Sequence, residues 1–246
     1  ARLSLAARAA TAGAAKADAV TLILNADVPY GRDDRLAGAA TAGAVLRAAS
    51  LTAVGWTGEA ALARIDLSGA LAGSLAAPRY NGVAALAVEA QTARGPGVGL
   101  AGTSLTLASQ TLELSYDKAG LVARGPIAGR AAAGSGAVEV AGKRLWLEAA
   151  TVRGSGEVSL TPAGFTTALA GAAEGRGRFG AADARALADT IAPPQLDAVS
   201  NAALRKALSR LRLNAPRYQV AVGKAGTRLT LPQPARIAFD GGALTV

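Results

Sequence analysis

The 246-residue chain contains no cysteine, no histidine and no methionine, and only nine of its side chains are aromatic. Without cysteine there can be no disulfide and no thiolate metal site, and the compartment is left open. Without histidine the usual general base and the commonest zinc ligand are missing as well. The only adjacent carboxylates, Asp33-Asp34, sit in the turn-like run GRDDR, where a solvated turn is the natural reading. No catalytic constellation, metal site or cofactor site is expected, and the chain reads as a non-enzyme.

Bulk is the second shortage. Half of the residues are hydrophobic, yet about a quarter of the chain is alanine and only about a fifth is Leu, Ile, Val or Phe, near the floor for a self-sufficient core. Either the fold is thin and extended, or a GC-rich coding bias has favoured Ala, Gly and Arg. No run approaches the roughly 20 apolar residues of a membrane helix, and no basic-then-apolar signal segment is present. The missing methionine and the strand-like ending Leu244-Thr245-Val246 lead us to expect a segment of a larger protein. A net charge of +9, carried by arginine far more than lysine, admits nucleic acid or anionic lipid as partners. No aromatic residue stands in a basic run where it could stack on bases, so nucleic acid is not expected.

Parity organises what remains. Ile65, Leu67, Gly69, Leu71, Gly73 and Leu75 alternate with Arg64, Asp66 and Ser68, the period of a strand with one dry face. After Ala76-Ala77-Pro78-Arg79 the phase moves to even positions, through Tyr80, Gly82, Ala84, Leu86, Val88 and Ala90. The two runs predict a hairpin with a four-residue loop, in which Leu75 faces Tyr80, Gly73 faces Gly82 and Leu71 faces Ala84. Each arm would have about eleven residues, or some 35 Å, against the usual five or six residues.

The alternation recurs in Leu105 and Leu107, then in the opposite phase in Leu112, Leu114 and Tyr116. It continues through Val138 and Val140, Leu145 and Leu147, and Val158 and Leu160 after the Gly154-Ser155-Gly156 break. Near the end, Tyr218, Val220 and Val222 should meet Leu229 and Leu231 across Gly223–Gly226, with a last turn at Asp240-Gly241-Gly242. Helical spacing interrupts the meander at 181–190 and 195–212, where Leu196, Val199, Ala203, Leu204, Leu208 and Leu211 repeat, and Asn214-Ala215-Pro216 should stop the second helix. These helices could cover a sheet end or lie on an anionic membrane surface. In the first fifty residues Val20–Leu24 reads as a strand, and the alanine-rich flanks fit helix or strand.

Two Gly-x-Gly-x-x-Gly runs, at 97–102 and 175–180, match a dinucleotide fingerprint, but with 30 glycines in the chain such matches arise by chance. The buried parallel strand that the fingerprint requires does not precede Gly175.

The run Gly73-Ser74-Leu75-Ala76-Ala77-Pro78-Arg79-Tyr80-Asn81-Gly82, followed by alternating Ala84, Leu86 and Val88, resembles the G-x-φ-x-x-P-x-φ-x-G hairpin, with φ apolar, of the AsmA-like proteins, including TamB and YdbH. The end of the chain resembles the YdbH branch, with Leu-Arg-Leu-Asn-Ala-Pro closing a helix and Leu-Pro-Gln-Pro-Ala-Arg-Ile following the strands. The likeness covers about 25 residues of the first hairpin and some 40 at the end.

That resemblance implies a periplasmic protein of a Gram-negative envelope, anchored in the inner membrane, whose long antiparallel strands curl into an open apolar-lined groove. Such a groove carries phospholipids between inner and outer membrane. By residue, Gly73 and Gly82 would be the paired glycines and Pro78 the turn proline, with Leu75 and Tyr80 flanking it. The expected organisation is a β-groove over 1–179, a helical insertion over 180–213 and a continuation over 214–246. The candidate lining is Ile65, Leu67, Leu71, Leu75, Tyr80, Leu86, Val88, Leu105, Leu107, Leu112, Leu114, Leu145, Leu147, Val220, Val222, Leu229 and Leu231, with phospholipid acyl chains as the partner. The physical sense is that a dry face of Ala, Gly and scattered Leu leaves a trough wide enough for acyl chains, each shielded methylene contributing about 0.8 kcal/mol. The alternative is an exported β-rich structural segment, adhesin-like or passenger-like, with no lipid cargo.

Overall fold

The structure is a computed structural model that describes residues 2–12, 15–29, 31, 34–53, 55–140, 142–191, 197–223, 226–239 and 242–245. Nine strands come first, each hydrogen-bonded to its sequence neighbours: β1 Arg2–Ala12, β2 Ala15–Asp27, β3 Arg35–Ala53, β4 Trp56–Ser74, β5 Ala77–Gly95, β6 Val98–Asp117, β7 Gly120–Val140, β8 Lys143–Thr161 and β9 Gly164–Phe179. Two helices follow, α1 Ala181–Ile191 and α2 Ala198–Leu208. The chain then rejoins the sheet beside β9 as β10 Leu211–Gly223, which pairs with both β11 Gly226–Thr230 and β12 Arg236–Phe239; β13 Gly242–Thr245 pairs with β12. The result is one open antiparallel meander, curled into a groove, with unjoined edges at β1 and β13.

The alanine-rich stretches of the first fifty residues form strands, in β1, β2 and β3. Alanine favours helix by intrinsic propensity, but pairs such as Leu22↔Leu46 and Leu24↔Ala44 tie β2 to β3, and tertiary pairing outweighs that preference. The helical insertion is shorter than its spacing predicts. Asp197 caps α2 by accepting from the Ser200 amide at 2.7 Å, and the helix ends at Leu208. Asn214-Ala215-Pro216 therefore does not stop a helix; it lies inside β10, at a register shift between Ala215 and Tyr218.

The first predicted hairpin forms with a tighter turn. Ser74 pairs with Ala77, so Leu75 and Ala76 alone make the turn, and the Ser74 hydroxyl accepts from the Ala77 amide at 3.2 Å. Leu71 consequently faces Tyr80, Gly69 faces Gly82, and Gly73, with φ +101°, faces Pro78. Every partner is displaced by four residues from the predicted register. An even displacement keeps each residue on its predicted face, which is why parity held while the turn length did not. Both arms have 19 residues rather than about eleven.

The described residues form a single layer of sheet, and the surface area reflects it. The accessible surface is 15430 Å², against about 10,000 Å² for a folded monomer of this mass. No large side chain is fully buried among the described residues. One small core joins Phe179, Ala184, Ala188 and Leu208 to Leu145, Leu187, Leu204 and Leu211, so the helices cover part of the sheet. An ion pair at 2.8 Å from Arg205 to Asp189 ties α2 to α1.

Close backbone approach replaces side-chain packing elsewhere. Gly154 faces Gly171 across β8 and β9, and a Cβ added to Gly171 would collide with the Arg153 carbonyl. Gly171→Ala should therefore cost about 1–3 kcal/mol in chemical denaturation. Gly99→Ala, where an added Cβ meets nothing within 4 Å, should be neutral by the same measurement.

Candidate functional site

Residues paired directly across an antiparallel ladder point to the same side of the sheet. One such row reads Leu5, Leu22, Leu46, Ala63, Val88, Leu105, Ala131, Val152, Ala173, Ala215 across β1 to β10. A second reads Ala17, Leu51, Gly58, Ala93, Leu100, Gly136, Leu147, Gly177, Leu211. Neither contains a polar side chain. The row beside the first, on the opposite face, reads Thr21, Arg47, Leu62, Glu89, Ser104, Ala132, Thr151, Glu174, Asn214, Arg236. The sheet therefore has an apolar face and a mixed, charged face.

The two apolar rows have opposite parity within most strands, so a device must bring them to the same side. It is a transverse crease. Ala19 in β2, Ala60 in β4 and Gly102 in β6 have φ of 49°, 50° and 60°, in the left-handed region. Pairing keeps one register on both sides of each, as in Leu62↔Glu89 and Glu59↔Thr92. Rotating a single residue this way reverses the side-chain phase without slipping the ladder. A small cluster of Ala17, Val20 and Ala48, with Leu46 and Leu51 against it, joins members of both rows at the crease, which establishes that they share a face. In β8 the same reversal comes from a register shift between Leu147 and Ala149.

A second device explains the phase change between Leu107 and Leu112. These residues belong to one 20-residue strand, not to two strands joined by a turn as the alternation suggested. A bulge between Ser109 and Leu112 leaves Leu107 opposite Leu86 and Leu112 opposite Gly82, all on the apolar face. The Ser109 hydroxyl is buried there without a hydrogen-bond partner among the described residues.

The candidate lining residues fall as follows. Ile65, Leu67, Leu71, Tyr80, Leu86, Val88, Leu105, Leu107, Leu112 and Leu114 share the apolar face through the β4–β5–β6 pairs. Leu145 and Leu147 join it beyond the crease, but Leu145 packs against the helical core, so protein covers it. Val220 and Val222 belong to the same face through Leu169 and Thr167, and Leu229 sits opposite Val220, 64% exposed. Two assignments fail. Leu75 lies in the two-residue turn, 58% exposed, and Leu231 lies beyond the end of β11, so neither is a strand residue with a defined face.

Large apolar side chains stay uncovered on this face, including Leu3, Leu5 and Ile65 at 50%, 52% and 43%. Aromatic rings cover its glycines: Tyr80 reaches over Gly82, Tyr218 over Gly154 and Trp56 over Gly95. The Tyr80 hydroxyl donates to the Val83 carbonyl at 2.6 Å, and that of Tyr218 to the Arg153 carbonyl at 3.1 Å. Burial raises the pKa of both phenols above the ordinary tyrosine value, with a backbone contact at Ser68 partly opposing it for Tyr80.

The other chemical candidates dissolve in the fold. Gly97–Gly102 spans a turn and the start of β6, and Gly175–Gly180 runs along β9 and out of it, both in antiparallel pairing where no phosphate-binding turn exists. Ser115-Tyr116-Asp117-Lys118 has the Ser-x-x-Lys spacing of a serine nucleophile with a lysine base. It runs from the end of β6 into a turn, not along the helical turn that would bring the two groups together. Of the Asp33-Asp34 pair, Asp33 lies outside the described residues. Among the described residues no cluster of three or more Asp or Glu side chains could hold a metal, and no helix is long and apolar enough to cross a membrane.

Because both shifted phenols favour the neutral form when folded, their contribution to stability is full below the ordinary tyrosine pKa and falls as pH rises through the raised value. In an ultraviolet titration, Tyr80→Phe and Tyr218→Phe should each remove a late-ionising component. No family model, curated protein or solved structure matches this chain.

Proposed function

We propose that the apolar face holds the acyl chains of phospholipids, and that this chain is a segment of a periplasm-spanning groove through which lipids pass between inner and outer membrane. The single observation that carries this reading is the uncovered apolar face, continuous across ten strands. A face of that size in water is unfavourable unless something apolar occupies it. Its chemistry suits acyl chains: Leu, Val, Ala and Gly give a broad trough with no fixed polar groups to select a shape.

The hairpin likeness to the AsmA-like family, YdbH branch, points the same way and supplies the periplasmic setting and an inner-membrane anchor elsewhere in a parent protein. In this reading the chain is not an enzyme. Lipid moves by exchange along a surface, so no residue has to make or break a bond. The helices α1 and α2 lie over Leu145, Phe179 and Leu211 and cover that end of β8 to β10, leaving the rest of the apolar face open to lipid.

The test places a charge on each face. Leu71→Glu and Leu86→Glu, on the apolar face, should reduce photocrosslinking to a phospholipid probe at least several-fold. Ser68→Glu, which faces Val83 on the opposite side, should leave it unchanged. Equal effects from all three, or a purified chain that carries no extractable lipid and takes up no fluorescent phospholipid, would refute the proposal.

A further inference from the structure

The polar face carries an arrangement that neither fold stability nor an acyl-chain groove requires. Arg130 in β7 and Arg153 in β8 stand directly opposite each other. Like charges in opposed positions destabilise a sheet, and a carboxylate is the ordinary partner at such a place. Arg153 reaches Glu174 on the next strand at 3.2 Å, whereas the Arg130 guanidinium has no ion-pair partner among the described residues.

A third arginine joins them. Arg217, at the register shift of β10, lines the same open depression of about 550 Å³. Its remaining walls are small residues such as Ala128, Ser155 and Ala172, and no carboxylate lines it. One strand further on, Arg176 and Arg212 are again directly opposed, which extends the positive field without closing the depression.

We propose that this depression binds a phosphate group, held between the guanidinium forks of Arg130 and Arg153 with Arg217 as a third donor. Arginine's planar fork matches two phosphate oxygens at once, and a bound dianion converts the opposed pair from a repulsive contact into a bridged one. The small side chains around the arginines leave the volume that a phosphate needs. A lipid headgroup and a soluble phosphorylated molecule present the same recognised chemistry, and the experiment below separates them. The site is on the opposite face from the acyl-chain trough, so each proposal stands or falls separately.

The full chain is titrated with inorganic pyrophosphate by calorimetry at low salt, and floated with vesicles of phosphatidylcholine alone or with phosphatidylglycerol added. Pyrophosphate should bind, and Arg130→Gln and Arg153→Gln should each weaken it about tenfold or more, the loss of a charge-assisted contact. Arg64→Gln should not, because Arg64 lies in β4, outside the depression. Without ligand, Arg130→Gln should melt no lower than the parent chain, since it removes a like-charge opposition; this separates lost binding from lost fold. Flotation that needs phosphatidylglycerol and fails in Arg130→Gln assigns the phosphate to a headgroup, while pyrophosphate binding without flotation assigns it to a soluble ligand. Absence of both, or equal weakening by Arg64→Gln, overturns the proposal.

Discussion

The backbone ladder is what the rest of this structure depends on. In most domains the interior does much of the holding, through side chains that touch on all sides. Here a single sheet of small side chains has little interior, and the excess of exposed surface measures the deficit. What remains is a long series of antiparallel pairings, each strand satisfying its neighbour's amides and carbonyls over up to 21 residues. Ion pairs add little: those on the sheet, such as Arg64 to Asp66 and Arg94 to Glu59, are solvent-exposed and worth about 0–1 kcal/mol each. Small side chains are tolerable because the ladder does not require large ones, and glycine is required wherever curvature brings backbones together.

A ladder that long would lose its chemical identity if side-chain phase drifted. Two local devices prevent this, and they act differently. The bulge near Ser109 adds a residue to one strand, so the register moves and the leucines stay in phase. At the crease the register stays and the phase is reversed by Ala19, Ala60 and Gly102. Placing alanine in the left-handed region costs roughly 1–2 kcal/mol per residue. That cost is offset by bringing Leu46 and Leu51, on either side of the crease, into one cluster with Ala17, Val20 and Ala48. A dry face that continues across the crease thus comes from those residues.

Parity was legible in the sequence, because period-two alternation depends only on which residues prefer water. Ile65 through Leu114 could be assigned to one face before any pairing was known. Turn length was not, since Leu75 and Ala76 carry no strong turn chemistry while Pro78 suggested a longer loop. Strand ends were misjudged for a related reason. Each phase slip, between Leu107 and Leu112 or between Leu147 and Val152, looks in sequence like a turn, and only the neighbouring strand reveals a bulge or crease. The helices were visible from their spacing, but their contact with Leu145 and Phe179 depends on pairings that close only when β10 returns to β9. The opposed arginines were invisible for the same reason: Arg130 and Arg153 are unremarkable until the register brings them face to face.

The pairing of each strand with its neighbours in sequence also makes the molecule nearly one-dimensional. Stability then adds up hairpin by hairpin from nearest-neighbour terms, as in a repeat array, and disruption should spread from the free edges at β1 and β13 inward. Length is consequently a free variable: hairpins can be gained or lost in evolution without redesigning a core, because none spans the whole sheet. A fold of this kind can be lengthened or shortened by whole hairpins while its pairing rule stays the same.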